Sequence, residues 1–289
     1  MSRRVIGAEA FRVGAGRAGF AGSGQGNVTG MVRTVARHDH DAGGDPTLLA
    51  AKASLREMVW DRFSSGGVAR FPGARNRIPN FVGAEAAAER LRGTRAWREA
   101  GTLKSNPDSP QWPVRQRALE DGKLVFMAVP RLAEPEPFFC LDPDRLLDPP
   151  RAASSIKGAS RSARTVRIGD MVPVDLVITG CVAVDPAGAR LGKGGGFSDL
   201  EYALAWEAGL IGPDTVVATT VHEIQVLATD RIPMADHDLR LDLIVTPDRV
   251  IACDGSRPAP RLRWEELTEE KIAAIPLLSA LRSADAIRP

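Results

Sequence analysis

The chain has few cysteines, little net charge and no long apolar run. Cys140, Cys181 and Cys253 are its three cysteines, without the spacing of a metal site, and so odd and sparse a count is typical of a reduced cytosolic protein. The net charge of +2 gives no reason to expect nucleic acid or an acidic membrane surface as a partner. No stretch approaches the roughly 20 apolar residues of a membrane span. We therefore expect a cytoplasmic protein that binds neither nucleic acid nor membrane.

Residues 1–45 differ in composition from the rest of the chain. They are rich in Gly, Arg, Ala and Ser, so we predict a flexible N-terminal extension before a single α/β domain over residues 46–289 with a C-terminal helix. The early arginine pair is not followed by an apolar segment, which argues against an export signal. Residues 14–19 fit the letters of a dinucleotide fingerprint but lack its strand and helix. The His-Asp tract at residues 38–41 is predicted to be solvated rather than metal-binding.

The remaining sequence has the pattern of an α/β protein. Nearly all-apolar runs at residues 124–130, 174–179 and 215–221 predict buried strands, and they alternate with helical segments. This alternation predicts three layers, αβα, with a mainly parallel sheet covered on both faces. Ligand sites in such sheets lie at the carboxyl ends of the strands.

A glycine-rich loop follows the strand predicted at residues 174–179 and precedes a helix predicted at residues 202–210. Its glycines allow backbone torsions that are closed to other residues, and they are Gly192, Gly194, Gly195 and Gly196. Arg190 and Lys193 add positive charge, and we expect both side chains to be exposed. Free amides at a helix start favour an anion, and a phosphate group is the natural occupant.

A plain glycine-rich turn is the alternative explanation of this loop, and for three consecutive glycines alone it is the commoner one. The loop is not a Walker A loop, because no Gly-Lys pair is followed by Ser or Thr, and it lacks the acidic partner of a dinucleotide fingerprint. The flanking basic residues and the strand-to-helix context favour the phosphate site. These residues alone do not identify the phosphate compound.

Residues 184–199 read Val-Asp-Pro-Ala-Gly-Ala-Arg-Leu-Gly-Lys-Gly-Gly-Gly-Phe-Ser-Asp and follow Asp-Leu-Val-Ile at 175–178. They resemble the signature of the 5-formyltetrahydrofolate cyclo-ligases (5,10-methenyltetrahydrofolate synthetases), which carry an Arg-Leu-Gly-x-Gly-x-Gly-Tyr-Tyr-Asp loop after a similar strand. The resemblance runs from about residue 52 to residue 254 and includes a second segment at 221–246. It implies a cyclo-ligase-like fold and an enzyme that uses ATP and magnesium to convert 5-formyltetrahydrofolate to 5,10-methenyltetrahydrofolate.

The resemblance also implies roles for individual residues. Family members open with a helix bearing Lys-x-x-x-Arg, which Lys52 and Arg56 match, and the i, i+4 spacing places both on one side of a helix. An ordinary solvated basic face is the alternative. The resemblance implies that these two residues, the loop glycines and Phe197 contact the nucleotide. Arg190 and Lys193 would then stabilise charge on the transferring phosphoryl group.

Asp199 and Asp238 are the candidates for magnesium binding, because each lies in one of the two matched segments. A magnesium ion that bridges nucleotide phosphates needs only one or two carboxylates. Capping a loop or a helix start is the alternative role for each. His222 and His237 are candidates for general acid-base groups, with polar surface residues as the commoner alternative.

Two departures from the family leave the substrate open. Phe197-Ser-Asp-Leu stands where the family usually has Tyr-Tyr-Asp-Arg, and residues 106–112 lack the glutamate that meets the folate in the family. The phosphate half of the site is therefore kept and the folate half is altered. The alternatives are a related ATP-using enzyme that acts on another heterocyclic small molecule, or a non-catalytic binding protein on the same fold. The sequence leaves the oligomeric state open.

Overall fold

The computed structural model describes residues 45–285, with side chains through residue 283. Apart from Asp45, the predicted extension and its two motifs lie outside the described residues. Within the described range, no helix is both long enough and apolar enough to cross a membrane.

An eight-stranded sheet organises this part of the chain. Its strands are β1 (Thr102–Ser105), β2 (Leu124–Ala128), β3 (Phe138–Leu141), β4 (Arg164–Val166), β5 (Leu176–Ile178), β8 (Val216–Thr220), β9 (Leu243–Val245) and β10 (Val250–Ala252), while β6 (Ala183–Val184) and β7 (Arg190–Leu191) form a separate hairpin. The strand order is β10-β9-β8-β5-β1-β2-β3-β4. Strands β9, β8, β5, β1 and β2 are parallel neighbours, and β10, β3 and β4 pair antiparallel. The predicted, mainly parallel sheet is confirmed.

The α-helices lie before, between and after these strands. They are α1 (Pro46–Ser65), α2 (Ala84–Arg92), α3 (Arg95–Glu99), α4 (Trp112–Glu120), α5 (Pro150–Ala153), α6 (Ile156–Ser162), α7 (Phe197–Glu207), α8 (Glu269–Ala274) and α9 (Pro276–Asp285). The C-terminal helix predicted from the sequence is divided into α8 and α9 at Pro276, whose ring cannot continue the α8 hydrogen-bond pattern.

Alternating side chains on the strands build one core on each face of the sheet. On β2, Val125 and Met127 point into a cluster with α2, α4 and α6, whereas Phe126 and Ala128 point into a cluster with α7, α8 and α9. This period of two places apolar residues on both faces, as a parallel sheet between helices requires. Burial of a side chain such as Phe126 stabilises the fold by roughly 1.5–3 kcal/mol. The three-layer prediction is confirmed.

Helix α1 packs over the β6–β7 hairpin through a third cluster. Val59, Trp60 and Phe63 of α1 share this buried cluster with Ala183 and Leu191 of the hairpin. The Asp45 side chain caps the helix by accepting the N–H of Thr47 at 2.9 Å. This packing brings the middle of α1 against the glycine loop that follows the hairpin.

Candidate functional site

The glycine loop lies between the β6–β7 hairpin and helix α7. Gly194 and Gly196 have φ values of +106° and +62°, in the left-handed region where other residues are strained. Gly196 is the N-cap of α7, and no side chain caps this helix. The first amides of α7 therefore lack a side-chain acceptor, which is the geometry of an anion site. The predicted order of strand, loop and helix is confirmed, although the hairpin intervenes and α7 begins at Phe197 rather than at residue 202.

Arg190 lies beneath this loop rather than on it. It belongs to β7 and is only 4% exposed, so the expectation of an exposed side chain is wrong. A Cβ at Gly192 would lie 2.8 Å from Arg190 Nη2, so the glycine makes room for the guanidinium. Lys193, whose side chain is 49% exposed, has the predicted exposure.

One small polar cavity gathers most of the predicted site residues. Its volume is about 30 Å³. It is lined by Lys52, Arg56, Arg190, Leu191, Gly192, Gly194, Gly196, Asp199, His237 and Asp238. The other three predicted residues, Lys193, Gly195 and Phe197, belong to the same loop and to the start of α7 but do not line the cavity. Residues far apart in the chain are thus brought to one place at the end of the hairpin.

Helix α1 contributes two buried cations to the cavity. Lys52 Nζ lies 2.5 Å from Asp238 Oδ2 and forms an ion pair with this aspartate. Arg56 Nε donates a hydrogen bond to the Gly192 carbonyl at 2.8 Å. Both side chains come from one face of α1, as the i, i+4 spacing predicts. They tie the helix to both walls of the cavity, which are the glycine loop and the loop that contains Asp238.

Arg190 forms the second ion pair of the cavity. Its Nη1 donates to Asp199 Oδ1 at 2.6 Å. Burial by itself would lower the pKa of the guanidinium, but the Asp199 carboxylate and other negative groups raise it above its ordinary value. Arg190 Nε is buried and has no hydrogen-bond acceptor among the residues that the structure describes. A buried, permanently charged donor without an acceptor fits an anionic ligand.

The two predicted magnesium carboxylates are the partners of these cations. Among the residues that the structure describes, no group of three or more His, Cys, Asp or Glu side chains is arranged to hold a metal ion. Magnesium held mainly by phosphate oxygens and water needs only one or two protein carboxylates. Asp199 and Asp238 fit that role if phosphate oxygens replace them beside Arg190 and Lys52. The residues present are therefore compatible with a magnesium nucleotide.

A larger cavity of about 890 Å³ lies at the other end of the sheet. Its lining includes Val216 and Leu243, which are at the amino ends of β8 and β9, and Arg90, Thr94 and Asp242. It contains none of the predicted site residues. Because ligand sites in parallel sheets lie at the carboxyl ends of strands, the smaller polar cavity is the better candidate.

A buried polar network beneath the glycine loop was missed from the sequence. Lys104 of β1 forms a buried ion pair with Glu201 of α7. Asn106 Nδ2 donates to the same carboxylate oxygen of Glu201 at 2.9 Å, and Asn106 Oδ1 accepts the N–H of Gly180 at 3.0 Å. Burial raises the pKa of Glu201, and the Lys104 ammonium opposes that rise. The network fixes α7 against the carboxyl ends of β1 and β5.

The segment after β1, where the family has its folate-binding glutamate, is braced by a buried arginine. Arg115 is 1% exposed and donates to the Asn106 carbonyl at 2.6 Å and to the Asp108 carbonyl at 3.2 Å. Burial lowers the pKa of Arg115 to about 10. The brace places Asp108 Oδ1 3.6 Å from Lys193 Nζ, so an acidic side chain of this segment faces the glycine loop.

A second polar group of the same segment lies beside Asp108. A Cβ at Gly180 would lie 3.0 Å from Asp108 Oδ2 and 3.1 Å from Gln111 Oε1, so both side chains converge on this glycine. Gln111 Oε1 is buried and accepts no hydrogen bond from the described part of the chain. The segment without the family glutamate therefore carries a carboxylate and an amide close to the glycine loop of the polar cavity.

One sequence signal points to the missed network, and it lies around Glu201; the sequence around Lys104 gives none. Glu201 stands among Leu200, Tyr202, Ala203 and Leu204, and a carboxylate inside an apolar helical run needs a buried partner. Lys104 lies in a four-residue strand whose polar composition hides it from a search for apolar runs.

The two candidate histidines have different surroundings. His237 lines the cavity, and its Nε2 is 3.9 Å from Asp238 Oδ1. His222 does not line it and instead caps a short 3-10 helix, where its Nδ1 accepts the N–H of Ile224 at 3.3 Å. Burial lowers the pKa of His222.

Comparison with known proteins places these residues in a family context. The sequence pattern of the 5-formyltetrahydrofolate cyclo-ligase family matches residues 50–247. The methenyltetrahydrofolate synthase domain-containing protein of Bos taurus is 37% identical over 247 residues, which are 82% of this chain and 63% of that protein. Its counterpart from Mus musculus is 38% identical over 244 residues, with 81% and 64% covered. The match therefore spans less than two thirds of the length of these relatives.

Solved structures of similar proteins were also found. The NMR structure of 5,10-methenyltetrahydrofolate synthetase from Aquifex aeolicus is 19% identical, with a TM-score of 0.46, over 74% of this chain and 98% of that one. The corresponding enzyme from Mycoplasma pneumoniae is 10% identical, with a TM-score of 0.38, over 67% and 97%.

Proposed function

Because the chain belongs to the 5-formyltetrahydrofolate cyclo-ligase family, a family of ligase-type enzymes, we propose that it uses ATP and magnesium to convert 5-formyltetrahydrofolate to 5,10-methenyltetrahydrofolate. The observation that carries this proposal is the single polar cavity lined by eight of the predicted residues. The names of the curated relatives, which refer to methenyltetrahydrofolate synthase, support the same chemistry.

In the proposed reaction the γ-phosphoryl group passes from ATP to the formyl oxygen of the substrate. The neighbouring N10 then attacks the activated carbon, inorganic phosphate leaves with the former formyl oxygen, and N10 loses its proton. Such a transfer requires positioning and stabilisation of negative charge, and no protein nucleophile. Magnesium, held by Asp199, Asp238 or both, would supply further positive charge to the phosphates.

The cavity residues suit the phosphate part of this reaction. Arg190, whose buried Nε has no acceptor among the described residues, and the amides at the start of α7, which no side chain caps, provide fixed donors for phosphate oxygens. Lys52 Nζ reaches the same cavity from α1. We propose that phosphate oxygens replace Asp238 beside Lys52 and Asp199 beside Arg190, and that one or both released carboxylates bind magnesium.

A volume of about 30 Å³ is far too small for a triphosphate chain. A ligand therefore has to separate the glycine loop from the loop that contains Asp238. The Lys52–Asp238 ion pair spans this gap, so its exchange for a phosphate contact is the proposed opening step.

Asp108 and Gln111 are the proposed contacts for the heterocycle. They converge on Gly180, and Asp108 is also the acidic partner of Lys193 on the glycine loop. A carboxylate that accepts hydrogen bonds from ring N–H and amino groups would take the place of the family glutamate. The Asp108 side chain is one methylene shorter than that of glutamate. This difference favours a second candidate function, the same ATP-dependent chemistry on another heterocyclic small molecule.

Calorimetric titration separates these two functions. The purified chain is titrated first with magnesium and a non-hydrolysable ATP analogue, and then with 5-formyltetrahydrofolate. Binding of both, followed by formation of the methenyl product measured by its near-ultraviolet absorbance, supports the first function. Binding of the analogue without the folate favours the second, and failure of the analogue to bind contradicts both. Lys157→Met, which changes an exposed lysine of α6, is the matched control and should bind like the wild type.

A further inference from the structure

The C-terminal segment lies outside residues 50–247, the range that matches the family, yet it contacts the phosphate cavity. We call residues 264–275 the C-terminal strap. Ile272 and Ile275 of the strap are buried in the core cluster that also contains Leu204 of α7 and Leu239 of the loop next to Asp238. The strap therefore shares one apolar core with α7 and with the loop that carries Asp238.

The first polar contact of the strap is made with the glycine loop. Lys271 Nζ donates to the Gly195 carbonyl at 3.2 Å and lies 5.5 Å from the centre of the Phe197 ring. One ammonium group thus contacts the loop backbone and the first residue of α7, by a charge-assisted hydrogen bond and a cation–π contact.

The second polar contact is made with the opposite wall. Glu266 Oε2 lies 2.6 Å from His237 Nδ1, although the angle is poor for a hydrogen bond. His237 lines the cavity and precedes Asp238, the partner of Lys52. One short segment therefore contacts the two loops that have to separate when a phosphate chain enters.

The glycine content of the loop makes its ordering entropically costly, so a contact that orders it matters. It contains four glycines among residues 192–196, and glycine loses more backbone freedom on ordering than any other residue. A loop that is ordered before the ligand arrives does not lose that entropy on binding, and its affinity is correspondingly higher.

We propose that Lys271 is a positioning residue of the phosphate site, which holds the glycine loop in the conformation that presents the amides of α7 to a phosphate group. The identity of the ligand rests on the proposed function, whereas the ordering of the loop does not. Lys271 acts through the Gly195 carbonyl and the Phe197 ring.

Hydrogen–deuterium exchange of the unliganded protein tests the ordering directly. In Lys271→Met, which keeps most of the aliphatic chain, amides of residues 192–200 should exchange at least about fivefold faster than in the wild type, and Lys271→Arg should restore slow exchange. Arg282→Met is the matched control, because Arg282 binds Glu269 of α8 at 2.8 Å on the exposed side of the same helices. Unchanged exchange in Lys271→Met, or an equal increase in Arg282→Met, would overturn the proposal.

Nucleotide binding provides the second readout. Lys271→Met should weaken the affinity for a magnesium-bound non-hydrolysable ATP analogue about tenfold, and raise the KM for ATP with kcat changed less than about twofold. If the wild type fails to bind the analogue, the proposed function fails while the exchange result still decides the role of Lys271. If the wild type binds and Lys271→Met binds equally well, the inference alone fails. Should Lys271→Met not fold, Lys271→Gln, whose shorter polar side chain falls short of Gly195, carries the same expectations.

Discussion

Arg190 donates to Asp199 Oδ1 at 2.6 Å, and the same carboxylate oxygen accepts the N–H of Leu239 at 2.9 Å. A single oxygen thus joins the hairpin, the first turn of α7 and the loop that carries Asp238. A ligand that attracts Arg190 away from Asp199 changes the contacts of all three elements. If the proposed function holds, Asp199 keeps these three elements together before a phosphate enters and becomes available when one does.

Loss of the Arg190 guanidinium should remove most of the phosphate binding. Arg190→Met is expected to lower ATP-dependent activity at least about a hundredfold, the cost of deleting a fixed donor to developing negative charge. Arg190→Lys should recover part of it. Because the side chain is buried, unfolding temperatures must accompany the kinetics. Full activity in both variants would show that the phosphate site is misplaced.

Asp199 and Asp238, unlike their cationic partners, should affect the magnesium concentration that the reaction requires. Asp199→Asn and Asp238→Asn keep the shape of each side chain but remove its charge, so the variant that loses a metal ligand should need several-fold more magnesium for half-maximal activity. Glu207→Gln, at the far end of α7, is the control. If neither aspartate changes the magnesium requirement, both act only as partners of Lys52 and Arg190.

The grouping of the predicted residues around one polar cavity was predictable because their signals are local. Four glycines, Arg190 and Lys193 occupy one short stretch after an apolar strand, and the family resemblance, which the comparison confirms, added Lys52 and Arg56. The burial of Arg190 was not predictable, since it depends on the hairpin that folds back beneath the loop.

The network under the loop was not predictable for a different reason. Lys104 and Glu201 are 97 positions apart, and neither residue identifies the other without the sheet between them. Strand β1 was missed altogether, because its sequence Thr-Leu-Lys-Ser has no apolar run and its lysine is stable in the core only beside Glu201.

Breaking this ion pair should be costly, and replacing both partners less so. Lys104→Met is expected to reduce the free energy of unfolding by about 3–5 kcal/mol, because Glu201 is left buried without its cation. The double variant Lys104→Met/Glu201→Leu should recover much of this loss, although Asn106 Nδ2 loses its acceptor at a cost of about 1–3 kcal/mol. Urea denaturation measures both, with the exposed Arg95→Met as a control that leaves stability unchanged. If Lys104→Met is as stable as the Arg95→Met control, the prediction is wrong.

The partly buried His222 should make the protein less stable in mild acid. Burial lowers its pKa in the folded state below the ordinary 6.5, so below about that pH the unfolded chain binds more protons and stability rises with pH. Protonation also removes the lone pair with which Nδ1 accepts the Ile224 N–H. His222→Asn, which retains a capping oxygen, should show a shallower loss of stability between pH 7 and pH 5. Equal slopes in urea denaturation of the two proteins would exclude this contribution.

Lys193 offers the cleanest test of the loop, since its side chain is half exposed and its removal should leave the fold intact. It lies 3.6 Å from Asp108 Oδ1, between the phosphate cavity and the proposed heterocycle contacts. Lys193→Ala is expected to raise the KM for ATP about three- to tenfold and to leave the unfolding temperature unchanged. Asp108→Asn should instead weaken binding of the folate with little effect on the nucleotide. If Asp108→Asn weakens only the nucleotide, Asp108 serves the phosphate site through Lys193, and the residues that recognise the heterocycle lie elsewhere at the carboxyl ends of the strands.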